Sequence, residues 1–197
     1  KPLVTHHLQA DVVPDGDERD KDVANGIRYA VDNGAKVINM SFGKPYSPYK
    51  SLVDAAIQYA VAHDVVIVHA AGNDNSNNDK GHNFPTDIFL NKKGVAATWI
   101  EVGAIQPNFN PADFSNYGKK SVDLFAPGTE IYSTVPNGEY KIEQGTSMAS
   151  PSAAGVAAII REYFPELKAN EVRDILMKKV VPYKKKLRVP GTKKDKK

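Results

Sequence analysis

Apolar residues recur along this chain in two rhythms, short unbroken runs and faces spaced three or four apart, and their alternation outlines a fold. Residues 8–13 form a short extended candidate, closed by the turn signal Pro14-Asp15-Gly16. Behind the acids Asp17, Glu18, Asp20 and Asp22, a helical face of Val23, Ile27, Ala30 and Val31 runs to Asn33-Gly34. Acids at a helix start and Asn-Gly at its end suit the macrodipole and the C-cap, so the acidic cluster reads as this helix start in preference to a metal site.

Residues 36–40 are apolar and β-branched, as a buried strand requires, and they run into Ser41-Phe42-Gly43. After a Pro/Tyr loop, Ser51 and Asp54 have the spacing of a capping box, and Leu52, Ala55, Ala56 and Tyr59 form a second helical face. Residues 65–68 predict another buried strand, opening into Ala70-Ala71-Gly72-Asn73. Strand, helix, strand, helix, strand in that order predicts right-handed crossovers and a parallel sheet. Sites in such sheets form beyond the carboxyl ends of the strands, which is where Ser41-Phe42-Gly43 and Gly72-Asn73 fall.

Residues 74–83 are polar and rich in Asn; they offer oxygen ligands but lack the spacing of a calcium loop, and read as a surface loop. Residues 99–105 are the next strand candidate, and residues 122–125 lead into Ala126-Pro127-Gly128. Residues 130–135 and 140–143 pair as a hairpin across Pro136-Asn137-Gly138 and deliver the chain to Gly145. A small-residue helix over 148–163 is broken by Phe164-Pro165, and a last amphipathic helix spans 169–179 with Val172, Ile175 and Leu176 inward. No internal repeat interrupts this order.

With 197 residues, 41% of them hydrophobic, the chain has material for one real core. Cysteine is absent, so disulfides, thiolate chemistry and cysteine zinc sites drop out. No charge-free apolar run is long enough to span a bilayer, and residues 1–10 contain no signal-peptide core. The net charge of +3 is unevenly placed: residues 178–197 hold ten Lys/Arg against Asp195, which leaves −6 for the rest. A basic flexible tail over 181–197 behind a mildly acidic domain over 1–180 follows, and nucleic acid is not an expected partner.

Chemistry enters at Gly145-Thr146-Ser147-Met148-Ala149, which approximates the G-x-S-x-G nucleophile elbow. The α/β-hydrolase reading of that elbow needs a histidine after the serine. His6, His7, His63, His69 and His82 all precede Ser147, so order excludes it. The extended string Gly145-Thr146-Ser147-Met148-Ala149-Ser150-Pro151, with Ala154-Gly155, instead resembles the serine signature of the subtilisin-like (subtilase) serine proteases. Ala70-Ala71-Gly72-Asn73 is similar to their oxyanion-asparagine segment, and Ile38-Asn39-Met40-Ser41-Phe42-Gly43 to their substrate-binding strand. Phe114-Ser115-Asn116-Tyr117-Gly118 and Ala126-Pro127-Gly128 resemble two framework segments, all in family order.

The resemblance implies a three-layer α/β subtilisin-like fold with a mostly parallel sheet. It implies Ser147 as the nucleophile of a serine endopeptidase, with its own N–H and the Asn73 amide holding the oxyanion. It also implies peptide pairing along Ser41, Phe42 and Gly43, with side-chain pockets lined by Phe42, Ala70, Ala71 and Gly72 that tolerate a large apolar residue before the scissile bond. The substrate is then a peptide or protein. No cofactor is required; structural calcium is frequent in the family, and no site for it is assignable here. An extracellular or periplasmic location is favoured by the same resemblance.

The family order is Asp, His, Ser, and only the Ser segment is present. Asp-Ser/Thr-Gly and His-Gly-x-His strings do not occur; Asp32-Asn33-Gly34 fits a helix end, Asp15-Gly16 a turn, and His69 the position of a core strand residue. The expectation is a chain lacking the N-terminal strands and, alone, inactive. Its partners would be the missing N-terminal half of the domain or further copies of itself, drawn by an unpaired edge at residues 8–13. The alternative is a non-catalytic peptide-binding or scaffold module.

Overall fold

The computed structural model describes residues 18–81, 83–90 and 94–182. The strand candidate at 8–13, His6, His7, His82 and most of the basic tail lie outside those residues. The chain forms α1 (Asp20–Asp32), β1 (Val37–Met40), α2 (Lys50–Ala62), β2 (Val66–Ala70), β3 (Trp99–Ile105) and β4 (Leu124–Pro127). There follow the hairpin β5 (Ile131–Val135) and β6 (Glu139–Glu143), then α3 (Thr146–Tyr163) and α4 (Ala169–Lys179). Strands β1 to β4 pair side by side in sequence order, all parallel.

Two apolar layers explain why β2 carries no polar alternation: every one of its residues is buried. Val65, Ile67 and Trp99 face one side, packed with Val23 and Ile27 of α1 and Val53 and Ile57 of α2. Val66, Val68, Ile100 and Val102 face the other, against Ala149, Ala153 and Ala157 of α3 and Val172 of α4. The small residues of α3 let its axis approach the sheet closely, which a row of leucines would prevent. The result is the three-layer α/β subtilisin-like arrangement with a parallel sheet.

Three local expectations change. Helix α2 starts at Lys50 behind Tyr49, without a side-chain cap, so Ser51 and Asp54 form no capping box. The Asp54 carboxylate accepts instead from Lys50 Nζ at 2.5 Å and from the Leu90 N–H at 2.8 Å, fastening the 88–90 loop to the helix. The buried face of α2 is Val53, Ala56, Ile57 and Ala60, one position out of phase with the expected one, and Leu52 is 41% exposed. The larger β-branched pair Val53/Ile57 claims the core, which small alanines could not decide from spacing alone. Helix α3 begins at Thr146, two residues earlier than its pattern suggested, which places Ser147 within the first turn.

The N-terminus of α1 is tied to the segment leaving β1. Asp20, 4% exposed, accepts from the Ser47 hydroxyl at 2.9 Å and the Tyr49 N–H at 2.7 Å, and pairs with Lys44 Nζ at 2.7 Å. Lys44 also donates to the Glu18 carbonyl. Burial works to raise the Asp20 carboxyl, but Lys44, Tyr49 and Ser47 together hold it below the usual carboxylate range. A carboxyl depressed on folding contributes stability above its unfolded pKa and loses it as pH falls through the folded value. Asp20→Ala is therefore expected to cost about 3 kcal/mol near neutral pH, because it strands Lys44. The loss should shrink on acidification below pH ~4, as read by urea titrations across pH.

Candidate functional site

The site is built where the loop after β2 meets the start of α3. Gly145 precedes the helix with φ 151°, a conformation that favours glycine, and donates to the Gly128 carbonyl at 2.8 Å. Gly128 is itself pressed on β3: a Cβ there would stand 2.5 Å from Ala104 Cβ and 2.8 Å from the Gly145 carbonyl oxygen. The two glycines let the chain turn from hairpin into helix against the sheet.

A helix start leaves N–H groups without intrahelical partners. Here Thr146 N–H donates to Asn73 Oδ1 at 2.9 Å, and the Met148 and Ala149 N–H groups go to the Gly145 carbonyl at 3.1 and 3.3 Å. The Ser147 N–H is left with no partner among the described residues. The Thr146 hydroxyl also donates to Asn73 Oδ1, at 3.0 Å, and accepts from the Gly72 N–H at 3.1 Å. With its oxygen committed twice, the Asn73 carboxamide turns Nδ2 toward Gly145, 3.4 Å from where a Cβ would stand. Two N–H donors without a partner among the described residues, Ser147 N and Asn73 Nδ2, thus lie 3.6 and 3.4 Å from the point where a Gly145 Cβ would stand.

The Ser147 hydroxyl donates to the Ser41 carbonyl at 3.0 Å, and the Ser41 hydroxyl donates to the Ser147 carbonyl at 2.9 Å. Serine, oxyanion-type donors and the β1 exit strand therefore share one crevice. The subtilase family model matches residues 7–195.

The chain belongs to the subtilase family. It is 39% identical over 157 residues to subtilisin DY of Bacillus licheniformis, covering 78% of this chain and 53% of that protein. It is 42% identical over 156 residues to the cell wall-associated protease of Bacillus subtilis strain 168, covering 79% of this chain and 16% of that one. Among solved structures, the prenylagaramide maturation protease superposes with TM-score 0.74 at 29% identity, over 87% of this chain and 62% of the other. A cold-adapted subtilisin-like serine proteinase gives 0.71 at 32%, over 83% and 55%. The chain thus spans about half or less of the length of the first curated relatives it matches.

Within this subtilase chain, the expected pocket residues separate. Phe42 is half-buried and packs on the α1/α2 core, and Gly43 is exposed where a Cβ would strike Asn83 Oδ1 at 2.2 Å. Ala70 and Ala71 are buried at 2% and 0% and form no surface wall; Gly72 alone of the three reaches the surface. Asparagine side chains cover them: Asn83 donates to the Ala70 carbonyl at 2.9 Å, and Asn78 and Asn116 to the Ala71 carbonyl at 2.8 and 3.0 Å. Gly72, at φ 103°, turns past Asn116 so closely that a Cβ would meet its Nδ2 at 2.5 Å.

Neither described histidine reaches Ser147. His63 caps the end of α2 on the Tyr59 carbonyl, and His69 is fully buried with Nδ1 2.9 Å from Glu101 Oε2, an oxygen that also accepts from Trp99 Nε1 at 2.8 Å. Burial pushes the Glu101 carboxyl up, opposed by His69 and Trp99. Among the described residues no three acidic or histidine side chains converge on one point. Asp79, the acid of the Asn-rich loop, spends its oxygens on the Lys119, Lys120 and Ser121 N–H groups and the Ser121 hydroxyl. Calcium enters no step described below.

Sequence reasoning missed Thr146 and Asn116 as the residues that hold Asn73. Thr146 was visible as the one hydroxyl adjacent in sequence to Ser147; Asn116 had only its buried neighbours to mark it. Asn116 accepts from the Asp74 and Ser76 N–H groups at 2.9 and 3.0 Å and donates to the Ala71 carbonyl and to Asn78 Oδ1. Asn116→Ala is expected to cost about 3 kcal/mol in chemical denaturation, since it orphans several buried polar groups at once. Amide exchange at Asp74 and Ser76 should accelerate beyond that global change.

Proposed function

We propose that Ser147 is the nucleophile of a serine endopeptidase, attacking a peptide carbonyl to form an acyl-enzyme in the complete protein. One observation supports this reading: the Ser147 N–H and Asn73 Nδ2 are both uncommitted among the described residues and both lie within 4 Å of the same point beside Gly145. They would receive the oxyanion of the tetrahedral intermediate. The peptide would lie extended along Ser41, Phe42 and Gly43, beyond the carboxyl end of β1, pairing through its backbone, with Phe42 and Gly72 selecting side chains. The base that removes the Ser147 proton would come from an Asp/His segment outside these 197 residues.

A second reading draws on a different contact. In this chain the Ser147 hydroxyl spends its proton on the Ser41 carbonyl, which activates nothing. A peptide-binding module with the crevice and no turnover fits that contact. A fluorophosphonate probe on the complete protein separates the two: labelling that Ser147→Ala abolishes supports the peptidase, and its absence the module.

In the complete enzyme the two roles of Asn73 come apart by substitution. Asn73→Ala removes the Thr146 cap and the oxyanion donor, whereas Asn73→Asp keeps an acceptor for Thr146 and loses only the donor. Removing such a donor in a subtilisin costs on the order of 10²–10³ in turnover, and both variants are expected to show that loss. Only the alanine variant should also lose about 1 kcal/mol of stability. Equal stability losses, or unchanged turnover in Asn73→Asp, would count against the assignment.

The remaining half of a subtilase domain is the proposed partner of this chain. The outer edge of β1 and the apolar stripe Val156, Ile159 and Tyr163 of α3, at 47%, 48% and 71% exposure, are the surfaces it would cover. By light scattering, the isolated chain is expected to self-associate and the complete domain to run as a monomer.

A further inference from the structure

Pro151 stands four residues after Ser147, inside α3. In an uninterrupted helix the N–H at 151 would donate to the Ser147 carbonyl. Proline has no N–H, and its ring crowds that carbonyl, so a proline beyond the first turn is costly. The opened carbonyl is met from outside the helix, by the Ser41 hydroxyl.

That hydroxyl is itself held. Asn39 Nδ2 donates to Ser41 Oγ at 2.9 Å, and Asn39 Oδ1 accepts from the Ser150 hydroxyl at 2.6 Å. Ser150 is fully buried, one position before the proline. The bonds close a ring that passes from Asn39 to Ser41, across to Ser147, along α3 to Ser150 and back. A second link, from the Ser147 hydroxyl to the Ser41 carbonyl, lies inside it.

Asn39 is an exposed residue of the edge strand β1. It is paired in register with Val68, whose side chain lies in the apolar layer under α3, and its neighbour Val37 packs on the same layer. Strand periodicity therefore places Asn39 on the α3 face, at a position that leaves it exposed. A carboxamide supplies what an apolar residue cannot: a donor for Ser41 and an acceptor for Ser150 from one planar group.

We propose that Asn39 is a positioning residue for Ser147, acting through Ser41 and Ser150, and that Pro151 serves the reaction by keeping the Ser147 carbonyl open to Ser41. The ring fixes the height of the first turn of α3 against β1, and so sets the nucleophile relative to the two free N–H donors and to a peptide lying on Ser41. A serine side chain has three staggered rotamers, and the Ser41 carbonyl selects among them. The proposal rests on the reading of Ser147 as the nucleophile.

The test uses the complete protein, phosphonylated at Ser147 by a fluorophosphonate and followed as separate kinact and KI, with amide exchange measured in parallel. Asn39→Ala and Ser150→Ala are each expected to lower kinact about tenfold or more, the scale of a sub-ångström misplacement, with KI unchanged. The double variant should fall no further than the weaker single one. Asn39→Asp, which keeps the acceptor for Ser150 and loses the donor to Ser41, should behave as Asn39→Ala does.

Pro151→Ala returns an N–H to the helix. It should raise the melting temperature while lowering kinact, a combination that a purely structural role does not produce. Exchange at the Thr146 and Met148 amides, both hydrogen-bonded at the start of α3, should accelerate in Asn39→Ala and stay unchanged at Val172. The proposal is overturned by kinact within twofold of the parent in Asn39→Ala together with unchanged exchange, or by Pro151→Ala raising kinact with stability. If the complete protein is not phosphonylated, the nucleophile reading fails and amide exchange decides alone: faster exchange at Thr146 and Met148 in Asn39→Ala supports the positioning ring, and unchanged exchange refutes it.

Discussion

The carboxamide of Asn73 is the contact on which the site depends. Its oxygen takes the first N–H of α3 and the Thr146 hydroxyl, and Gly145 takes the next two turn donors that are met. The Ser147 N–H is left over by this division, not by accident of exposure. A serine cap in place of Asn73 would bring an acceptor and no second N–H donor, and an aspartate would bring negative charge. Only an amide offers an acceptor to the helix and a donor to the crevice through one rigid plane.

Holding that amide is the task of the loop that carries it. Beyond β2 the backbone leaves the ladder, and its carbonyls must find partners elsewhere. Ala70 and Ala71 find Asn83, Asn78 and Asn116, and the N–H groups of Asp74 and Ser76 find Asn116. The parallel sheet supplies a rigid floor, and side-chain amides replace the missing strand partners above it. The Asn-rich composition of the 70–83 region is thus structural glue around one functional asparagine.

How much of this could be read from the residues differs by level. The strands and the two-sided burial of the sheet were legible because Val65 to Val68 allow no polar face, and the serine signature was legible because its seven residues are contiguous. The phase of α2 was not, since its face is contested among alanines and decided by Val53 and Ile57 meeting α1. The donors to the Asp54 carboxylate were not, because Lys50 and the Leu90 N–H reach it only in the folded chain. Ala70 and Ala71 read as pocket walls from their size, yet smallness serves here to bury them beneath asparagines. Asn39 was visible as a residue and invisible as a partner, because its two contacts lie on Ser41 and Ser150, the second 111 positions away.

That separation orders events in time. Ser41 and Ser147 are 106 residues apart, and Asn73 and Thr146 are 73 apart. Contacts that close such long loops form only after the intervening strands have given the chain a reason to fold back. A nascent chain that has emerged as far as β4 already owns Asn73, the strand exit and most of the sheet, and yet has no helix end for the amide to cap. The glycine turn at Gly145 and the helix behind it come last. The crevice is therefore completed from its far end, and the serine enters a setting whose other walls already exist.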